Sequence, residues 1–421
     1  MRNRILGIAG LTIRQAIRSR FVISLFFLLL ALLAGFALTI KGDGTAAGRL
    51  QMLLSYAMGS VGVVLGIATL WLACGSLSIE IENRRIHLVV VKPVRTIELW
   101  LGKWLGIISV AMLLLLVAGL FLGVAGHIAR GRSHPDSPDG RALRDRILVA
   151  RQAVSATRVG SQDGAAHWLL ACPAAVSAQG VATLRYRFVA HLRDLPPVTG
   201  RWTVRTPDGA TLFETDCIAS MDGVNQLDIP LAALRSTTAL DLIFHLQPAG
   251  EGTPQHVTFH PRHDVVLLFP CGTFAGNLMR ALLLMFCQVA LLAALGLTVG
   301  TIFTFPVAMF TASALVLATL FAQFFVFSSA PERSHAHEHH HHDDVTHVTW
   351  TETVGEHLAV GLRFAMAPAL RYRINGRLAA GETIPWTEVH DCAGILIFCY
   401  SGLLCALGCL MLKRREIALP V

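Results

Sequence analysis

Apolar runs of membrane length punctuate the chain. Phe21 to Ile40 contains no Asp, Glu, Lys or Arg, and at about 1.5 Å per residue such a run, if helical, crosses the roughly 30 Å hydrocarbon layer of a bilayer. Leu50 to Ile79 and Trp104 to Ala129 are equally free of those residues and leave length for tilt and interfacial ends. Ala281 to Pro331 is too long for one crossing, and Pro306 stands where a helical hairpin would turn. Cys392 to Leu412 ends the series against Lys413, Arg414 and Arg415. The pattern predicts an α-helical polytopic membrane protein with six transmembrane helices.

Two long insertions interrupt these runs. The first, 126–276, opens with the polar stretch GRSHPDSPDG and predicts a helix around Arg141 to Arg158. After it the period becomes two: Thr183 to Ala190, Arg201 to Thr206, Thr211 to Thr215, Ala239 to Leu246 and His256 to His260 alternate apolar and polar residues, and PDG at Pro207 to Gly209 suits a hairpin turn. Short strands at this spacing predict an external β-rich, sandwich-like domain between spans three and four. The second insertion, 329–390, carries a histidine-rich run and then the amphipathic stretch EHLAVGLRFAMAPALRYR, broken by Pro368. A short or re-entrant helix at the membrane surface is expected there. IPWTEV places Pro385 at a helix start and Trp386 at the interface before the last span. The resulting division is 1–125 (amino-terminal helix and spans 1–3), 126–276 (β domain), 277–328 (spans 4–5), 329–390 (external loop) and 391–421 (span 6 and basic tail).

Charge then orients the helices. Arg2, Arg4, Arg14, Arg18 and Arg20 precede the first span; Arg84, Arg85, Lys92, Arg95 and Lys103 lie between the second and third; Lys413, Arg414 and Arg415 follow the last. With six spans all three groups fall on one side, so both termini are expected in the cytoplasm and the chain in a bacterial inner membrane. The formal net charge of +8 follows from this topology and from an arginine-rich exterior, and indicates no nucleic-acid partner. A cleaved signal peptide does not suit the first 40 residues, whose apolar run is too long and lacks a small-x-small cleavage site.

Absences narrow the chemistry. No GxxxxGK[ST] phosphate loop occurs, so ATP binding is not expected of this chain. The six runs hold no acidic or basic residue of the kind that ion-coupled carriers keep at mid-bilayer, where it costs roughly 2.5–3.5 kcal/mol. Cys74, Cys287, Cys399, Cys405 and Cys409 read as small packing residues in the spans, and Cys405 and Cys409 share a helix face. Cys172, Cys217, Cys271 and Cys392 are external or at the boundary, where an oxidising compartment permits pairing that spacing cannot assign. Gly59, Gly62 and Gly66 suit close helix packing.

If the chain moves a substrate, the energy would therefore enter from a cytoplasmic partner, and Ile79 to Gly106, IEIENRRIHLVVVKPVRTIELWLGKWLG, is where one would dock. Glu80 and Glu82 precede an apolar ridge, Leu88 to Val91, that a soluble protein could bury; Lys92 and Pro93 break the segment, and an amphipathic helix then enters the third span. This connection resembles the signature region of ABC-2 type transporter permeases. The resemblance rests on Glu82, Lys92, Pro93, Val94, Arg95, Gly102 and Lys103, and on two further segments, ILGIAGLTIRQAIRSRFVISLFF and GRLAAGETIPWTEV followed by a span and KRREIAL. The long external domain departs from most short members, as does Asn83-Arg84-Arg85-Ile86 after the acid. The resemblance implies a six-span half-transporter, a permease without catalytic residues of its own. It would pair with a second permease copy or paralogue and with separate ABC ATP-binding subunits that push on the region 80–103. Glu80 and Glu82 would then contact or cap the coupling element, Leu88 would sit on its ridge, and Lys92 to Arg95 would brace its end.

His335, His337, His339, His340, His341 and His342, with Asp343 and Asp344, offer ligands for Zn or Cu. Calorimetry on the isolated 330–350 segment tests this, and affinity no tighter than millimolar for either ion removes it. Two other readings compete with the permease: a membrane-anchored envelope receptor or assembly protein that uses the β domain, and a metal-handling membrane protein that uses the histidine run.

Overall fold

A computed structural model describes residues 2–42, 44–83, 95–134, 136–162, 165–172, 180–188, 197–221, 223–234, 239–247, 259, 265–328, 372 and 375–414. Helix α1 (Arg2–Arg18) breaks at Ser19, whose Oγ donates to Ala16 O, and α2 (Arg20–Thr39) follows. Then come α3 (Ala46–Glu82), α4 (Thr96–Arg132) and the short α5 (Pro138–Ala142), which runs on into a π-helical turn at Leu143–Ile147. After nine strands among the described residues the chain returns to helix: α6 (Phe274–Ile302), α7 (Phe305–Ser328), the single turn α8 (Asn375–Ala379) and α9 (Trp386–Arg414). Among the described residues α2, α3, α4, α6 and α9 are long and apolar enough to cross a membrane, and they mark a membrane-embedded protein. α7 is apolar too and turns back from α6 with Pro306 in its first turn, as the hairpin expectation required.

Two of these helices outrun their apolar sequence. α3 and α4 have 37 residues each, roughly 55 Å of helix against a 30 Å hydrocarbon layer. The charge-free runs are thus the middles of longer rods, and Glu80, Glu82, Glu98 and Lys103 are helical residues at their ends. Glu98 and Lys103 are each only 3% exposed.

Small residues set the helix packing. Gly62 and Gly66 of α3 face Met285 and Leu292 of α6, but the closest approach comes from the other partner. A Cβ on Gly296 would stand 2.8 Å from Ala73 Cβ, and one on Gly300 would stand 2.7 Å from Cys74 O. The Gly296-x-x-x-Gly300 spacing therefore lets α6 lie directly on the α3 backbone. In α9 the stretch Ala393–Tyr400 is π-helical, and Ser401 Oγ donates to Leu396 O, five residues back, at 2.9 Å.

The inserted domain has a four-stranded sheet, β1-β9-β4-β7, and a five-stranded sheet, β2-β3-β8-β5-β6, with every pairing antiparallel. One core joins them: Leu184, Tyr186, Ile229 and Leu267 from the first sheet meet Trp168, Trp202, Val204 and Leu242 from the second. Trp202 is fully buried, with ring centroids of Tyr186 and Phe244 each 5.0 Å away. Strands β4 (Val181–Arg187), β5 (Val198–Arg205), β6 (Thr211–Ala219) and β8 (Ala239–Leu246) fall where alternation predicts them. The expected turn at Pro207 to Gly209 joins β5 to β6, with Gly209 at φ +87° and Thr206 N–H donating to Ala210 O. Of the expected strand His256 to His260, Phe259 is described and bridges Phe188.

Two expectations are corrected. No helix runs from Arg141 to Arg158: the helix ends at Ile147, and β1 (Val149–Ser155) and β2 (Thr157–Gln162) follow. Pairing with the apolar β9 (Val265–Thr273) overrides the helical look of the arginine spacing, because β1 shields one flank of β9. The β domain also starts later than residue 126, since α4 continues to Arg132. β3 (Ala165–Ala171) and β7 (Val224–Pro230) complete the sheets.

Before the domain, α5 is tied to the membrane helices. The Asp139 carboxylate accepts the N–H groups of Ala46 and Ala47 at 2.9 and 3.1 Å, and so caps the first turn of α3.

Candidate functional site

The segment between α3 and α4 is the docking candidate, and its two flanks are held together by a buried ion pair. Ser76 and Glu80 are one helical turn apart on α3 and so share a face. Lys103 of α4 reaches across: its Nζ donates to Glu80 Oε1 at 2.7 Å, to Ser76 O at 2.9 Å and to Ser76 Oγ at 3.3 Å. All three ammonium protons thereby have acceptors, which a lysine side chain 4% exposed requires.

The neighbouring carboxylates hold other elements. Glu82 Oε1 accepts the Phe305 N–H at 2.8 Å, capping the start of α7 and fixing the α6–α7 turn to the end of α3. Glu98 accepts the Arg95 N–H at 3.1 Å, with the Arg4 guanidinium 4.0 Å away. Arg95 is the residue on which α4 begins. Three acids thus tie three different elements to the ends of one connection.

The remaining faces of the α4 start are occupied in turn. Gly102 and Gly106 form a groove for α1: a Cβ at either would come within 2.7 Å of Ile8 or 2.6 Å of Thr12. Trp104 Nε1 donates to Ala290 O of α6 at 2.9 Å, and Trp100 stacks on Trp104 at 6.2 Å between centroids. Gly408 of α9 lies against the Trp100 indole, and Thr298 Oγ1 donates to Leu404 O at 3.0 Å. Residues 98–106 are a hub against which α1, α3, α6 and α9 all pack.

Of the residues singled out by sequence, Glu80, Glu82, Arg95, Gly102 and Lys103 come together here. Their contacts are helix-to-helix; Gly102 is a packing surface for α1, and Lys103 is an internal partner of Glu80. Leu88, Lys92, Pro93 and Val94 lie outside the described residues, as do His335, His337, His339, His340, His341 and His342 and the amphipathic stretch that follows them. Among the described residues no group of three or more His, Cys, Asp or Glu is placed to hold a metal ion. All nine cysteines are free thiols.

Sequence reasoning missed Trp100, Trp104, Gly106 and Glu98 as hub residues. The signal was the density of small and aromatic residues in ELWLGKWLG. It also missed a polar cluster at the opposite end of the helices, around Arg151 and residues 377–384. Burial and the neighbouring Arg146 and Arg185 charges push Arg151 down to about 10, partly offset by Asp228 and Glu382. Burial, with the Asp228 charge beside it, pushes Asp145 up.

No protein-family model matches the chain, and a search of the curated proteins finds no significant match.

Proposed function

We propose that this chain is the six-span membrane subunit of an ATP-driven transporter, an exporter of the ABC permease kind, paired with a second permease and worked by a separate ATP-binding subunit. The observation that carries the reading is the hub. A push on residues 83–95 meets two helix ends locked by Lys103 and Glu80, and the same hub bears on α1, α6 and α9. The capping of α7 by Glu82 extends that reach to the α6–α7 turn. Helix ends locked in this way pass displacement on to the rest of the bundle.

In this proposal the hub end faces the cytoplasm of a bacterial cell, both termini lie there, and the β domain stands outside. The order of the Glu-x-x, Lys-Pro-Val-Arg and Gly-Lys elements along the connection supports the same reading.

Purification of the full chain from its native host in mild detergent tests it. A nucleotide-binding subunit with ATPase activity is expected in near-stoichiometric amount, and Leu88→Asp should release it while leaving the chain monodisperse. A chain that retains its cellular function with no ATPase attached, or with its helices replaced by a single unrelated anchor, is a receptor and not a permease.

A further inference from the structure

Residues 377–384, just ahead of α9, contact the β domain and two membrane helices at once. On the domain side the segment extends the first sheet. Arg151 N–H donates to Gly381 O and Thr383 N–H to Arg151 O, each at 2.8 Å, forming a parallel bridge between Arg151 and Glu382 at the edge of β1. The Arg151 side chain, in a residue 3% exposed, donates to Ala380 O at 2.6 Å and to Thr183 Oγ1 at 3.2 Å. Arg185 pairs with Glu382, and Arg146 pairs with Asp228 at 2.7 Å.

On the membrane side the contacts are as specific. The Asn277 side chain, in the first turn of α6 and 1% exposed, donates to Glu382 O at 2.8 Å and accepts the Ile384 N–H at 2.9 Å. Arg280 donates to Thr383 Oγ1 and Ile384 O, and its guanidinium lies 5.2 Å from the Trp386 ring centroid. Arg377 grips Glu388 of α9 through both carboxylate oxygens and donates to Thr383 O. Gly381 makes the fit: its φ is +67°, and a Cβ there would run into Arg146 O.

We infer that 377–384 is a mechanical strap that fixes the outer end of α9 to α6 and to the external sandwich, so that the domain and these two helices move as one body. The domain is already continuous with α6, because β9 ends at Thr273 and α6 begins at Phe274. α9 has no such covalent link to the domain, and the strap supplies a hydrogen-bonded and ion-paired one in its place. Because α9 packs on Trp100 at its other end, the strap joins the hub to the external domain through a single helix. This holds whatever drives the helices, so it stands or falls apart from the transport reading.

Hydrogen–deuterium exchange on the full chain in nanodiscs reads the coupling. Val204→Ala hollows the sandwich in β5, on the sheet that does not touch the strap, and is expected to speed exchange in β1 and β9 about fivefold. The amides of 383–390 should speed up by the same factor. If they ignore Val204→Ala, the strap does not couple and the inference is overturned. With Gly381→Val added, 383–390 should stop following the sandwich, and continued following would place the coupling elsewhere and overturn it equally. Asn277→Leu with Glu382→Gln serves the same arm should Gly381→Val fail to fold.

Discussion

Glu80→Ala is expected to destabilise the protein by about 3–5 kcal/mol, because it strands a buried lysine charge. The asymmetry of the pair sets the size. Lys103 has a side chain 4% exposed whereas Glu80 is 20% exposed, so removing the acid leaves the more buried partner uncompensated. Ser76 O and Ser76 Oγ remain as acceptors, but neither carries charge. Lys103→Met should cost less, since the freed carboxylate can hydrate at its more exposed edge. The double variant Glu80→Leu, Lys103→Met should recover most of the loss, because a well-packed apolar pair often matches a buried ion pair. Thermal unfolding in detergent, followed by the monodisperse fraction, orders the three variants. A Glu80→Ala protein that melts with the wild type would show that the pair does not hold α3 to α4. If the proposed transporter reading holds and the hub relays force, the double variant should also keep its fold while losing part of the coupling between ATP hydrolysis and transport.

The sequence showed the membrane helices through their charge-free runs, and it showed where alternation was clean: the expected strand Ala239 to Leu246 is the observed β8 to the residue. Alternation failed where a strand was covered on both faces or packed with small residues. β9, VVLLFPCGT, has no polar face along its first half, and β3, AAHWLLA, gives no period to read. β1 and β2 failed for the opposite reason: Arg144, Arg146, Arg151 and Arg158 imitate the polar stripe of an amphipathic helix, whereas Arg146 pairs with Asp228 and Arg151 is buried against Thr183 and Ala380, partners from distant segments.

The same distinction divides the site. Glu80, Glu82, Gly102 and Lys103 were visible because they flank one short connection. Their partners were not, since Glu82 meets Phe305 and Trp104 meets Ala290 across long separations that no local pattern encodes. Gly102 shows a residue whose packing the sequence could not display. Its place beside Lys103 suggested a coupling motif, whereas the geometry makes Gly102 and Gly106 the floor of the α1 groove. GRLAAGETIPWTEV stood out through its resemblance, but its role as a strap was hidden, since Gly381 takes a left-handed backbone (φ +67°) against tertiary neighbours that no local pattern encodes.

Gly300→Leu is expected to separate α3 from α6 and to cost about 3 kcal/mol or more, at the upper end of overpacking effects. The obstacle is backbone. The nearest atom to a Cβ at Gly300 is Cys74 O at 2.7 Å, with Cys74 C and Cα at 3.4 Å, so no rotamer change in α3 makes room. One turn earlier Gly296 meets Ala73 Cβ and Leu70 O in the same way, which leaves α6 no pivot by which to slide off the contact. Gly62→Ala is the matched control: its nearest neighbour is the flexible end of Met285 at 3.6 Å, an ordinary contact, and the substitution should be close to neutral. Yield of monodisperse protein and melting temperature in detergent read both variants side by side. Equal stability of Gly300→Leu and Gly62→Ala would mean that α3 and α6 tolerate a wider separation than this packing implies. Because α6 also carries Asn277 at the strap and Ala290 at the hub, separating it from α3 should loosen both ends of the helix bundle together. That effect should appear as faster amide exchange at 383–390 in the same variant.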